Sequence, residues 1–138
     1  MLLTIVAAAS LSLPAAAAAE TGGAAPIAAS GAPGGIAFSP LRSAGATWYG
    51  PGLYGRQTAC GQMLQPQTIG VAHRDLPCGT TVKLLYHGRQ LITRVIDRGP
   101  YSAGFDWDLT NGARQALGFE GSGRIRYAVA LSYARADR

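Results

Sequence analysis

The run Leu91-Ile92-Thr93-Arg94-Val95-Ile96 breaks into Asp97-Arg98-Gly99-Pro100-Tyr101. Its β-branched, apolar residues specify a strand. Gly99 and Pro100 cannot continue a central strand, so the chain must turn there. Asp97 is thereby held at a strand end, on a fixed backbone, beside a guanidinium and close to an aromatic ring. A carboxylate placed in this way on a rigid element suits acid–base chemistry. Two further carboxylates flank an indole in Phe105-Asp106-Trp107-Asp108-Leu109, and His73 supplies a titratable imidazole upstream.

The other local signals describe a small β-rich unit. Ala46 to Tyr49 is a short β-type run closed by a Gly50-Pro51-Gly52 turn, and Leu53 to Met63 reads as an irregular loop. Thr68 to Ala72 reads as another short strand. Thr81–Tyr86 and Arg89–Ile96, joined by His87-Gly88, read as a β-hairpin. Thr110 is an N-cap and Gly118 a stop for a helix of about two turns. Arg124 to Leu131 is a closing strand. Short strands, Gly/Pro turns and so little helix imply an all-β fold with small α content, a closed barrel.

At 138 residues the chain has room for one domain. Met1 to Ala19 is an apolar Ala/Leu run ending in small residues, which predicts a secretory signal, atypical because no basic residue precedes its apolar stretch. It is short for a membrane span and broken by Ser10, Ser12 and Pro14, so no stable anchor is expected. Residues 20–43 are rich in Ala, Gly, Pro and Ser, predicting a disordered linker. The folded unit is expected over 44–131, with 132–138 as a tail. Export and an even cysteine count in a small domain favour a Cys60–Cys78 disulfide over a thiol nucleophile or a metal pair. His73 and His87 are not spaced as further metal ligands, so no metal or cofactor is expected.

The net charge is +5. Within 44–131 nine basic side chains face five acidic ones (Asp75, Asp97, Asp106, Asp108, Glu120). Such a surface favours an anionic polymer. The basic residues are scattered singly, which with export argues against nucleic acid and toward a cell-wall polymer, bound by a monomer. Of the adjacent pair Trp48 and Tyr49, one should enter the core. The other should point outward, where an aromatic ring can stack on a sugar.

Ala46-Thr47-Trp48-Tyr49-Gly50, Gly55 to Ala59, Val71 to Thr80, Val95 to Tyr101 and Asp108-Leu109-Thr110 together resemble the successive motifs of the rare lipoprotein A family. The resemblance covers 44–131 and implies a six-stranded double-psi β-barrel with one or two short helices. It implies endolytic transglycosylase activity on peptidoglycan glycan strands, leaving 1,6-anhydro ends, in a secreted, periplasmic or wall-associated protein. By its motifs the catalytic residues fall on Asp97 and His73, with Asp97 as general acid and base and Asp108 on the sugar. Gln62 stands where the family usually has Glu, so one ionisable group is exchanged for an amide. Gln62, Trp48, Tyr49, Arg98, Tyr101 and Trp107 complete the expected substrate-binding set. The Phe-Asp-Trp-Asp-Leu-Thr segment also resembles expansin-like and barwin-like barrels. That likeness supports a second reading, a wall-binding module without turnover, and a third, a secreted inhibitor or signalling protein.

Overall fold

The structure, a computed structural model, describes residues 35–131. The expected signal over 1–19, most of the 20–43 linker and the 132–138 tail lie outside the described residues. Six strands and one helix follow in the order β1 (Arg42–Tyr49), β2 (Val71–Ala72), β3 (Thr81–Tyr86), β4 (Arg89–Asp97), β5 (Trp107–Thr110), α1 (Asn111–Leu117) and β6 (Gly123–Val129). They close as β1-β5-β2-β4-β3-β6. Two pairings are parallel, β1 with β5 and β2 with β4; the rest are antiparallel. This is the mixed six-stranded barrel that the family resemblance implies.

The barrel is filled by alternate residues of its strands, as a period of two requires. Val82, Leu84, Val95, Trp107, Leu109 and Ile125 are buried inside it with the small Ala44 and Ala46. Full burial of a Leu- or Val-sized side chain stabilises by about 1.5–3 kcal/mol, so this cluster carries the fold. The hairpin forms as its sequence indicates, from Thr81↔Arg94 to Tyr86↔Arg89. Its tip residue His87 takes a positive φ of 44°.

Helix α1 begins and ends where the sequence says. The Thr110 hydroxyl accepts from the Ala113 N–H, and Gly118 closes the helix in the left-handed region at φ 65°. Gly112 lets the helix start lie against the chain at 67–68, where a Cβ would stand 2.6 Å from the Thr68 carbonyl oxygen.

Two boundaries differ from expectation. β1 starts at Arg42, inside the expected linker, and Phe38, Ser39 and Ala37 already bond to the β6 end of the barrel. The small residues Ser43 to Ala46 carry no strand signature of their own. Pairing with β6, from Arg42↔Tyr127 to Ala46↔Gly123, makes the strand. Conversely, only Val71 and Ala72 of the run 68–72 join the ladder, because Thr68 and Gly70 are engaged by Thr110 instead.

The two cysteines form a disulfide, Cys60–Cys78, with Cα atoms 5.6 Å apart. It joins the loop after β1 to the loop after β2. Both loops also grip the end of β4: the Cys60 N–H donates to the Ile96 carbonyl and the Gly79 N–H to that of Val95.

Candidate active site

Asp97 ends β4. Across the sheet Asp97 pairs with Ala72, Ala72 with Asp108, and Asp108 with Thr47. Residues in register on neighbouring strands share a face. This row of four therefore points to the same side, away from the barrel interior, and all four line one cavity of about 400 Å³. Ala72 and Thr47 are short and leave space between the two carboxylates. Tyr49, Trp48, Leu53, Gly99, Tyr101 and Ser102 complete the walls. A second cavity of about 250 Å³ adjoins it, lined by Arg56, Gln57, Thr58 and Leu64. Asp97 and Leu53 line both, so the two cavities meet at Asp97 to make one trough.

One oxygen of Asp97 is anchored. Its Oδ1 accepts from the Arg98 N–H at 2.8 Å and from the Ala59 N–H at 2.9 Å, across 38 residues of chain. Oδ2 takes no backbone amide, and the Tyr49 hydroxyl lies beside the carboxylate. Sequence reasoning could not find Ala59, because it acts through a backbone amide that any residue but proline supplies.

Asp108 is half-buried, and its Oδ1 is buried without a hydrogen-bond partner among the described residues. Burial first, and the Asp97 charge second, push its carboxyl up to about 6. The Tyr49 hydroxyl is likewise buried and lies beside the Asp97 carboxylate, within hydrogen-bonding reach. Burial first, then the Asp97 charge and that contact, then the Asp108 charge, hold its phenol far above the usual tyrosine range.

Three residues expected at the site play other parts. His73 lines neither cavity that holds Asp97. Its imidazole packs on Trp107, ring centroids 4.6 Å apart and planes tilted by 55°, and faces a separate cavity with Arg42, Leu76 and Tyr127. Its Nδ1 accepts from the N–H groups of Asp75 and Leu76, which leaves the ring hydrogen on Nε2. Burial lowers its pKa; Arg74 and Arg98 add to this while Asp75 and Asp106 oppose it. The cause of the misplacement is strand alternation: Ala72, not His73, is in register with Asp97. What His73 does offer Asp97 is its backbone N–H, 3.2 Å from the Asp97 carbonyl.

Trp107 is completely buried, since its register with Ala46 turns it into the barrel, and it cannot stack on a sugar. Arg98 borders the cavity, but its guanidinium donates to the carbonyls of His73 and Leu76 and contacts Cys78 Sγ. It clamps the 73–78 loop rather than pairing with Asp97. Arg74 does the reverse: it donates to the carbonyls of Pro100 and Phe105 and pairs with Asp106 at 2.9 Å, so it clamps the loop after β4.

Of the remaining expected residues, Trp48, Tyr49 and Tyr101 line the trough and Gln62 lines neither of its cavities. Trp48 packs partly on the core, with the Arg114 guanidinium 4.4 Å from its ring centroid. Tyr49 turns outward, as one of that pair had to. Tyr101 is 79% exposed and forms the rim. Gln62 is exposed; its Oε1 accepts from the Thr58 hydroxyl at 3.1 Å, next to the amide that holds Asp97. Among the described residues no three His, Cys, Asp or Glu side chains gather as a metal site.

The family model for lytic transglycolases matches residues 42–129, essentially the whole barrel. A probable endolytic peptidoglycan transglycosylase RlpA of Synechocystis is 45% identical over 80 residues, covering 56% of this chain and 25% of that protein. The protein of that description from Aquifex aeolicus is 43% identical over 84 residues, covering 59% and 37%. The chain thus spans only 25–37% of these relatives' length. Among solved structures, the apo expansin of Clavibacter michiganensis superposes with a TM-score of 0.53 at 23% identity, covering 68% of this chain and 52% of that one. A Streptomyces papain inhibitor also gives 0.53, at 22% identity, over 70% of this chain and all of its own. These two likenesses speak for the fold.

Proposed function

The chain belongs to the lytic transglycolase family, and on that premise we propose that it is an exported peptidoglycan-remodelling protein, an endolytic transglycosylase acting on glycan strands. The observation that carries the reading is the trough whose two cavities meet at Asp97. A cleavage site for a polymer needs space on both sides of the reactive group, and here Asp97 borders two adjoining cavities. The activity by which the relatives are named, peptidoglycan transglycosylation, is the chemistry such a trough suits.

Asp97 is the catalytic carboxyl. Glycosidases ordinarily divide acid and base or nucleophile between two carboxyls. A transglycosylase needs no external nucleophile, because the C6 hydroxyl of the muramic acid attacks its own C1. The carboxylic acid of Asp97 gives its proton to the glycosidic oxygen as the C1–O bond breaks. The C6 oxygen then bonds to C1, closing the 1,6-anhydro ring, and its proton returns to Asp97. No water is consumed and the enzyme ends as it began. The two backbone amides on Oδ1 fix the carboxyl, leaving Oδ2 to handle the proton. Gln62 needs no proton in this scheme, and its amide supports the loop that supplies the Ala59 N–H. His73 serves as a positioning residue through its backbone.

A second reading, an expansin-like wall binder without turnover, is favoured by one observation: an amide, not a carboxyl, stands at position 62. Peptide-free glycan strands incubated with the full chain, followed by mass spectrometry for anhydro-muramic ends, separate the two. Product that falls at least about 100-fold in Asp97→Asn, the scale of general acid–base catalysis, supports the enzyme. Strands that co-sediment with the protein but show no anhydro ends make it a binder.

A further inference from the structure

A cavity of about 350 Å³ opens at the tip of the β3–β4 hairpin. Leu85, Tyr86, His87, Gly88, Arg124 and Arg126 line it, and none of them lines either cavity at Asp97. It lies at the other end of β4, which runs from Arg89 beside the turn to Asp97, up to roughly 26 Å at ~3.3 Å per residue. Arg124 and Arg126 are exposed on the outer face of β6, two positions apart. Their register partners Gly45, Ser43 and Leu85 are uncharged. Among the described residues the one ion pair is Arg74 with Asp106, and the acidic side chain nearest in sequence, Glu120, is not in these walls. Other arginines are committed elsewhere: Arg74 and Arg98 to carbonyls, Arg114 to Asn111, and Arg89 against Gly118.

Two neighbouring guanidinium groups without a counter-charge repel each other, and an anion set between them removes that repulsion. The rest of the wall suits a sugar. The His87 imidazole stacks on the Tyr86 ring, centroids 4.0 Å apart and planes within 17°, and Tyr86 meets buried Phe119 edge-on at 5.1 Å. A flat polar ring is thereby anchored to the core at the surface, where a sugar can lie against it. Asparagine is the ordinary residue for the left-handed first position of such a turn; His87 takes it at φ 44° and brings a ring. We propose that this hairpin-tip pocket is a second glycan site, taking one N-acetylmuramic acid unit with its lactyl carboxylate on Arg124 and Arg126 and its ring against His87. The proposal rests on the peptidoglycan reading above, since in a peptide-free strand every second sugar carries such a carboxylate. Guanidinium forks match carboxylate geometry, whereas uncharged N-acetylglucosamine offers them no anion.

The chain has two histidines, His73 and His87, and they line different cavities. NMR of the full chain with labelled histidine rings therefore reads both places at once. N-acetylmuramic acid should shift the His87 ring signals saturably and leave those of His73 in place. N-acetylglucosamine, which lacks only the lactyl group, should bind at least about tenfold more weakly, the scale of one charge-assisted hydrogen bond. Added salt should weaken the first sugar and not the second, because exposed charges are screened. Arg124→Gln combined with Arg126→Gln should erase the difference between the two sugars. Should that variant unfold, the two-sugar and salt comparisons on wild type decide alone. Equal binding of the two sugars, a salt-independent response, both histidines moving together, or a preference that survives in the folded double variant overturns the proposal. The anhydro-end assay is read separately. Anhydro ends with a silent His87 strike the pocket and leave the enzyme; a His87 response without anhydro ends strikes the enzyme and leaves the pocket.

Discussion

Replacing Thr110 by Val tests how the fold secures the strand that carries Asp108. Thr110 is fully buried where β5 passes into α1. Its hydroxyl donates to the Thr68 carbonyl at 2.6 Å and accepts from the N–H groups of Gly70 at 3.1 Å and Ala113 at 3.2 Å. Valine keeps the shape and opens no cavity, so the loss is purely of hydrogen bonding. It strands two buried N–H groups and one half-buried carbonyl. An orphaned buried group costs about 1–3 kcal/mol, and loss of a threonine N-cap alone costs about 1 kcal/mol. The total is about 3 kcal/mol, a large share of the roughly 5–15 kcal/mol that holds a domain together. In a domain this small each kcal/mol moves Tm by about 4–8 °C, so Thr110→Val should melt about 12–24 °C lower. Thr110→Ser, which keeps the hydroxyl and loses one methyl, should cost only about 1 kcal/mol. Calorimetry and urea unfolding of the full chain read both. A valine variant within about 4 °C of wild type, or a serine variant equally damaged, would refute the idea that this hydroxyl pins the 68–70 segment to the helix.

Asp108 should make stability fall as pH rises. Its folded pKa, about 6, lies above its ordinary value of 3.8, so the native state holds the proton more tightly. Its contribution is fully present below the unfolded pKa and is lost as pH climbs through the folded one. The urea midpoint of wild type should therefore drop between about pH 4 and 6 relative to Asp108→Asn, and parallel profiles would contradict the raised pKa. The Cys60–Cys78 disulfide closes 18 residues of sequence, worth about 3 kcal/mol on the chain-entropy account. A reductant, or Cys60→Ser with Cys78→Ser, should lower the unfolding free energy by that amount and reduce turnover as well, since Ala59, the neighbour of Cys60, holds Asp97. Full activity in the reduced protein would mean that the Ala59 amide stays in place without the crosslink.

Much of the local structure was written in the order of residues. The β3–β4 hairpin follows from β-branched runs around His87-Gly88, α1 from Thr110 and Gly118, and the disulfide from an even cysteine count in a small unit. Asp97 as a rigid strand-end carboxylate was legible too, because Gly99 and Pro100 terminate any strand before them. These features depend on neighbours a few positions apart, where propensity, capping and turn chemistry act directly.

The partnership across the trough was not legible. Asp97, Ala72, Asp108 and Thr47 share a face only because β4, β2, β5 and β1 are hydrogen-bonded in that order, and two of these three pairings are parallel between strands far apart in sequence. A shift of one residue in any such register sends every side chain to the opposite face. Local pattern does not set that register; the packed barrel does. The same fact explains the reassignments. Trp107 and His73 both look like site residues by their neighbours in sequence, yet pairing turns one into the core and the other away from Asp97. Arg98 looks like the partner of Asp97 but extends to carbonyls of a loop some 22–25 residues back. The sequence alone determined which groups have the chemistry; only the closed barrel, by choosing non-local registers that bury the most apolar surface, decided which of them meet.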